Sequence, residues 1–426
     1  MFILLGSLFV FLLIGVPVAY ALGLASVAYF MLESPAALGF VVQRFFSGIN
    51  NYPLVSLPFF ILMGLVMNSG GITRRLLDLA MFFVGRFKGG LGHVNVVASM
   101  IFGGISGSSA SDTASIGAVL IPEMTKRGYP IEVASGITVA SSTMGMIIPP
   151  SVPMIIYAIA AEESIGQLFL GGIIPGIMVG LMQMLVIAYL ARRNGYPTEV
   201  VPFSLKAAWQ ELRNSAPVLI MPIMIVGSVV FGFVTPTETA GAAVVYGLII
   251  GFFLVGLSVI KELPTAMRQA IIMSSKIMMI IAFSQVFITV LALERVPNQI
   301  SDFITGFGLG PTGFILLTAL LILLAGTFID VSPAILLMTP VLLPVAEKMG
   351  ISGVHFGVVM ISGLAVGACT PPVGNCLNVC AAISRLPIGK IFLGTAPFLM
   401  ANVLVLILIC LFPQLVLWIP GAVYGN

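Results

Sequence analysis

Charge is what this sequence has least of. Lysine and arginine number 18 and aspartate and glutamate 15, so 8% of the 426 residues are charged while 59% are hydrophobic. Soluble domains carry about 25% charged residues, and a chain this poor in charge cannot cover itself with a water-compatible surface. Histidine is nearly missing: His93 and His355 are isolated, with surface or packing roles the default for both. The four cysteines, Cys369, Cys376, Cys380 and Cys410, lie in apolar sequence without metal-ligand context and read as packed thiols. Segments of about 10 residues with alternating polarity, the mark of a membrane β-barrel, are also absent. A net charge of +3 does not mark a nucleic-acid partner, because the positive residues have another use.

What is present is long apolar runs rich in Leu, Ile, Gly and Met, with a mean hydropathy of +1.17. The expectation is an all-α polytopic membrane protein. About 20 apolar residues span a bilayer, and the candidate spans are 2–31, 54–70, 131–160, 167–190, 214–233, 237–258, 275–293, 353–384 and 390–420. Residues 1–31 lack the basic start and the shorter core of a secretory signal, and are expected to be the first spanning helix. The polar stretch RRNGYPTEVVPFSLKAAWQELR, 192–213, reads as a linker with a short amphipathic helix. Residues 73–88, TRRLLDLAMFFVGRFK, read as an interfacial helix with Arg74 and Asp78 at i,i+4. The turn TPTE at 235–238 reads as a capping box of Thr235 and Glu238 with Pro236 in the first helical position.

Two apolar regions, 91–126 and 311–347, are interrupted in the middle, and charge decides how they run. If both are hairpins that enter and leave on one side, and the N-terminus is cytoplasmic, then Arg74, Arg75, Arg86, Lys88, Lys126, Arg127, Arg192, Arg193, Lys206, Arg213, Lys261, Arg268, Lys276, Arg385 and Lys390 fall inside. Only Arg44, Arg295 and Lys348 remain outside. This satisfies the positive-inside rule, which a straight passage through either region breaks. Nine spans and two re-entrant hairpins follow, with the C-terminus on the outer side.

A shift of 222 residues superimposes the punctuation of the two halves. Gly104 meets Gly326, Pro122 meets Pro344, Gly128 meets Gly350, Gly145 meets Gly367, and Pro149-Pro150 meets Pro371-Pro372. Five crossings separate equivalent points, so the halves have opposite orientation. Such inverted-topology repeats typify secondary transporters with a site at the bilayer midplane. The expected organisation is a first repeat over 1–190 (scaffold helices 1–70, interfacial arm 73–88, hairpin 91–126, discontinuous helix 131–160) and a cytoplasmic linker over 191–213. A second repeat over 214–426 holds scaffold helices 214–293, hairpin 311–347, discontinuous helix 353–384 and final helix 390–420.

The tip of the first hairpin, GGISGSSASDTAS at 103–115, carries a hydroxyl or carboxylate on seven of thirteen residues. Non-helical chain at membrane depth survives only in protein or beside a wet cavity. A limb ending near Ile105 leaves carbonyls for a cation, and a limb beginning after Ser111 presents N–H groups for an anion. The same alternation recurs at Gly145 to Pro150, Gly326 to Ser332 and Gly367 to Pro372. Hydroxyls of Ser106, Ser108, Ser109, Thr327 and Thr370 can complete an oxygen shell for a hard monovalent cation such as sodium. Two cation sites and four helix N-termini for an anionic substrate are expected. Intramembrane carboxylates are functional by default. Asp330 is read so, whereas Asp112 also fits a plain first-turn role stabilising free N–H groups, and both readings stay open.

The runs GGISGSSASDTASIGAVLIPEMTKRGYP, MGMIIPPSVPMIIYA and VGACTPPVGNCLNVCAAIS resemble the large membrane subunit of tripartite ATP-independent periplasmic (TRAP) transporters, over essentially the whole chain. The resemblance implies a sodium-driven importer of the bacterial inner membrane with an elevator motion and no cofactor beyond Na+ as coupling ion. It also implies two protein partners, a small four-helix (Q-type) membrane subunit and a soluble periplasmic substrate-binding (P-type) protein, in addition to membrane lipid. By motif position, sodium falls to Gly104, Ser106, Ser108 and Gly145, and to Gly326, Gly367 and Thr370. Substrate contact falls to Ser109, Asp330, Ser332 and Asn375. Family substrates are small organic acids, C4-dicarboxylates and sialic acids among them, with overall resemblance leaning to sialic acid.

Other classes fit less well. An intramembrane serine protease would use Gly104 to Gly107 as a nucleophile motif, but it needs a general base near the serine, and neither histidine nor Lys126 is placed there. A channel explains polar tips but needs no inverted pair of sodium-type sites. A stand-alone sodium-coupled organic-anion carrier is the alternative, since no docking motif in the sequence distinguishes it.

Overall fold

A computed structural model describes residues 2–69, 72–198, 205–296, 298–300, 302 and 310–425. Every regular element among them is helical. Seven of the described helices are long and apolar enough to cross a membrane, or up to nine if each bent pair counts as one span.

The N-terminal run does not form the single helix expected over 2–31. It divides into α1 (Phe2–Leu13) and α2 (Val18–Glu33), which pack along one another. Gly15 takes φ +84° and Pro17 stands at the N-cap of α2, where a residue without an N–H cannot carry the helix through. A second difference follows at once. The stretch between the first two expected spans forms an amphipathic helix, α3 (Gly39–Ile49), which meets α4 (Ser56–Ser69) at a bend of 57°.

α5 (Ile72–Val84) is amphipathic as the 73–88 pattern predicts, with Arg74 and Asp78 exposed and Leu76, Leu79 and Ala80 buried. Its apolar side faces protein, for it packs on α6 (Gly90–Ser106) and α12 (Leu205–Val230), and Arg75 Nη1 donates to the Asn214 carbonyl at 3.0 Å. α7 (Ser109–Lys126) follows α6 after a two-residue turn. Then come α8 (Ile131–Ser142), the single turn α9 (Met144–Ile147), α10 (Val152–Ala161) and α11 (Ile165–Asn194).

The expected linker at 192–213 is partly absorbed into its neighbours: α11 runs through Arg192 and Arg193, and the amphipathic segment is the start of α12. Residues 199–204 of that linker lie outside the described residues. α13 (Pro236–Val255) opens on the expected capping box, with Thr235 N–H donating to Glu238 Oε2 at 2.8 Å and Glu238 N–H to Thr235 Oγ1 at 3.3 Å.

α14 (Ser258–Leu293) is one helix of 36 residues, about 54 Å at 1.5 Å per residue, where a span over only 275–293 was expected. It is held by α2, α3 and α4, and Tyr29 Oη donates to Glu294 Oε1 just beyond its end at 2.5 Å. α15 (Pro311–Phe328) and α16 (Val331–Lys348) are joined by two residues, and α17 (Gly353–Gly367) is separated from α18 (Asn375–Ser384) by the Pro371-Pro372 stretch. The expected final helix over 390–420 is two helices, α19 (Ile388–Leu411) and α20 (Gln414–Tyr424), because Pro413 breaks the chain.

Two features position the interior. α8 crosses α19 so closely that a Cβ on Gly136 would collide with the Gly394 backbone, and one on Gly394 with the Glu132 carbonyl. Small residues permit such contact between apolar helices. Next to this crossing lies a buried polar network. Gln183 Nε2 donates to the Ala140 carbonyl (3.0 Å) and to Asn402 Oδ1 (2.7 Å), and Asn402 Nδ2 to Thr143 Oγ1 (3.1 Å). On the other side of α8, Asn95 Nδ2 donates to Thr138 Oγ1 (2.7 Å). The Ala140 carbonyl near the end of α8 receives the Thr143 N–H only at 3.4 Å, and the Gln183 and Asn402 amides add donors to it. Gly136→Val should therefore destabilise the protein by about 1–3 kcal/mol through overpacking. The readout is a lowered thermal midpoint in detergent, with Gly227→Val, whose added Cβ meets no atom within 4 Å, unchanged.

Candidate functional site

α6 ends at Ser106 because Gly107 takes φ +61° and its N–H returns to the Gly103 carbonyl at 3.0 Å, an αL helix stop that suits glycine. The turn is compact. Ser108 N–H donates to Ser106 Oγ at 3.2 Å, while the Ser106 hydroxyl donates its one proton to Asp112 Oδ1. This tip rests directly on the break between α9 and α10. A Cβ on Gly104 would stand 2.9 Å from the Pro149 carbonyl oxygen and one on Gly103 2.8 Å from Gly145 Cα. Val152 N–H donates to the Gly107 carbonyl at 3.4 Å. Sidechain-free backbone at these positions is what allows tip and break to touch.

The second tip sits on the second break in a comparable way. Gly367 lies against the α15 backbone, so that an added Cβ would be 2.6 Å from the Leu323 carbonyl oxygen and 2.7 Å from Gly326 Cα. Val373 N–H donates to the Thr327 carbonyl at 3.1 Å. Asp330 caps α16 by accepting from Val331 N–H at 2.9 Å, and the same oxygen accepts from Asn375 Nδ2 at 2.8 Å. The Thr370 hydroxyl is turned to its own helix, donating to the Val366 carbonyl at 2.9 Å. Both Pro-Pro peptide bonds, 149–150 and 371–372, are cis.

Between the tips lies a cavity of about 590 Å³. The first residues of four helices line it: Ser109 of α7, Val152 of α10, Val331 of α16 and Asn375 of α18. Each contributes the positive end of a helix dipole, although Val152 N–H and Val331 N–H are already taken by the Gly107 carbonyl and Asp330. All four residues expected to touch substrate, Ser109, Asp330, Ser332 and Asn375, line this cavity. Of the residues expected to hold sodium, Ser106 and Ser108 also line it, whereas Gly104, Gly145, Gly326, Gly367 and Thr370 belong to the layer behind, where tips and breaks touch.

Two features were not legible in the sequence. Asp112 is fully buried, and its carboxylate does not bond to the N–H groups of its own helix start as a first-turn acid would. Oδ1 is held by Ser106, Oδ2 has no hydrogen-bond partner, and a Cβ on Gly145 would collide with it. A buried carboxylate oxygen without a donor is costly, and it is an oxygen that suits a hard cation. Lys276, counted above only as a topological charge, lines the cavity from α14. The four cysteines are buried free thiols, and neither histidine is at a tip: His93 meets Phe87 edge to face and His355 Nε2 pairs with the Ile409 carbonyl at 2.8 Å.

An all-helical membrane chain with two interrupted helices seated on two tips, around a largely apolar cavity with polar groups at the tips, has the build of a transporter. The family model described as tripartite ATP-independent periplasmic transporter, DctM component, matches residues 5–415, and the chain belongs to that family. It is a transporter permease and not an enzyme. It is 34% identical to the sialic acid TRAP transporter large permease protein SiaM of Vibrio cholerae, over 96% of both chains. It is 35% identical to the C4-dicarboxylate TRAP transporter large permease protein DctM of Pseudomonas aeruginosa, over 94% of both. Its fold is shared with the crystal structure of the Alcanivorax borkumensis YdaH transporter, at a TM-score of 0.61 and 16% identity over 92% of this chain and 90% of that one.

Gly145→Ala should destabilise the protein by about 1–3 kcal/mol through its clash with Asp112. In a double-mutant cycle with Asp112→Ala, followed by thermal unfolding, the effects should be non-additive; strict additivity would separate the two residues.

Proposed function

We propose that this chain is the membrane-crossing subunit of a sodium-driven importer that takes a small organic acid from a soluble periplasmic binding protein. A small four-helix membrane subunit completes the complex. The reading rests above all on one arrangement: four helix N-termini line a single cavity, in front of a buried carboxylate with an unpartnered oxygen. The first feature favours an anion and the second a cation, which is the pairing that co-transport of a sodium ion with an organic acid requires.

Sodium is assigned to the cavity wall at Ser106 and Ser108 and to the layer behind it. Ser106, Ser108 and Asp112, with backbone at Gly104 and Gly145, form one set; backbone at Gly326 and Gly367, with Thr370, forms the other. Sodium in the first set neutralises Asp112 and fixes the turn whose far side presents Ser109 to the substrate. The anion and the cation then stabilise one geometry, and this mutual dependence is the coupling. Substrate contact is assigned to Ser109, Asp330, Ser332 and Asn375. The substrate belongs to the acids for which relatives are named, sialic acid or a C4-dicarboxylate. The two halves act as inverted repeats. Tips and breaks move as one body past a frame that includes α4 and α14, in an elevator motion that exposes the cavity first to one side and then to the other.

Uptake into proteoliposomes, with sodium gradient, membrane potential, small subunit and binding protein omitted in turn, tests this. Transport that persists without the binding protein would overturn the tripartite reading, and transport indifferent to sodium the site assignment. Ser106→Ala and Asp330→Asn are expected to reduce sodium-coupled uptake at least about tenfold, the effect of one lost charged hydrogen bond, with membrane insertion intact. Sodium should also raise the thermal midpoint of the wild type by binding the folded state; the shift should shrink in Asp112→Asn, and an equal shift there removes Asp112 from the site.

A further inference from the structure

α14 turns one stripe toward the cavity: Met273, Lys276, Ile277 and Ile280. These are positions i, i+3, i+4 and i+7 of a helix face, and Lys276 is the single polar residue among them. An ammonium in an otherwise apolar stripe has a solvation cost unless it faces water or an anion. Lys276 has no ion-pair partner among the described residues. It is exposed to the cavity, opposite the four helix starts.

Among the described residues, the only other ionisable side chain in the lining is Asp330. One oxygen of that carboxylate is occupied by Val331 N–H and Asn375 Nδ2, and an ionised carboxylate can only accept hydrogen bonds. The cavity thus holds one cation and one anion, and the rest of its polar lining is hydroxyl and amide, as in Ser109, Ser332 and Asn378. A ligand with one carboxylate and several hydroxyls matches both charges: its carboxylate meets Lys276 and its hydroxyls donate to Asp330. A second carboxylate would find only the helix starts, without a second cationic side chain, and would be repelled by Asp330.

We infer that Lys276 is a specificity-determining residue, which draws the carboxylate of a singly charged, hydroxyl-bearing acid to the α14 side of the cavity while the helix starts and Asp330 hold its polar groups. The inference rests on the importer reading and selects a substrate class within it. It also explains why a lysine is placed about midway along a helix of 36 residues, where a simple topological marker would lie at an end.

Binding is measured on the purified complex of large and small subunits in sodium buffer, by thermal-shift titration with N-acetylneuraminate, gluconate and succinate. Sodium-driven uptake by the full tripartite system is measured in parallel. Either hydroxyl-bearing monoacid is expected to bind with a half-saturation about tenfold below that of succinate. Lys276→Met should raise that half-saturation about tenfold, as loss of one charged hydrogen bond does, and Lys276→Arg should stay within about threefold of wild type. Unchanged affinity in Lys276→Met, preference for succinate, or binding of none of the three overturns the inference. Binding as expected without sodium-driven uptake overturns the importer reading and leaves Lys276 in place. Sodium-driven uptake that Lys276→Met does not alter removes Lys276 and leaves the importer reading standing.

Discussion

Helix ends buried in an apolar interior leave backbone carbonyls and N–H groups that must find partners inside the protein. α8 ends among buried residues, and Gln183 from α11 and Asn402 from α19 reach the Ala140 carbonyl there. Cys369, at the other break, is directed at the Val139 carbonyl at 3.3 Å. The first broken helix is therefore held by its neighbours, and the first tip can dock onto fixed backbone. Everything that makes the cavity polar depends on this satisfaction of broken backbone.

The same constraint explains why glycine and hydroxyl residues concentrate where they do. Tip and break approach until backbone touches backbone, at Gly103 with Gly145 and at Gly326 with Gly367. Side chains would separate them and expose the very groups that need covering. Serine adds a short hydroxyl that can serve its own turn, as Ser106 does by accepting from Ser108 N–H and donating to Asp112. The N–H ends left over converge on the cavity, and the carboxylate left over, Asp112, remains behind it. The chemical division between an anion-facing front and a cation-facing back is a consequence of which helix ends meet.

Much of this was legible in the residues. The Pro-Pro pairs and the capping box at Thr235 mark chain breaks by local backbone physics, and the structure breaks or starts helices at these points, whereas the second limb of the first hairpin, expected to begin after Ser111, already begins at Ser109. Other elements misled. The apolar run over 2–31 hides a turn at Gly15 and Pro17, because an apolar composition continues across it. Lys261 and Arg268 lie in the gap between the expected spans 237–258 and 275–293, yet α14 runs through them from Ser258 to Leu293, since helix propensity does not exclude lysine or arginine. Lys276 carried no local sign of a role, and the network of Asn95, Gln183 and Asn402 joins residues far apart in sequence.

The sequence by itself determined the class: too few charges for a soluble surface, apolar runs of spanning length, and polar interruptions that only a protein interior can shelter. It also determined which residues stand at each interruption, because glycine, proline and N-cap chemistry act within a few bonds. Only the tertiary structure decided that four helix starts share one cavity, that Asp112 turns to Ser106 and Gly145 instead of to its own helix start, and that Lys276 faces them from α14. Those are contacts between segments tens to hundreds of residues apart, and no local preference encodes the direction in which one helix face meets another.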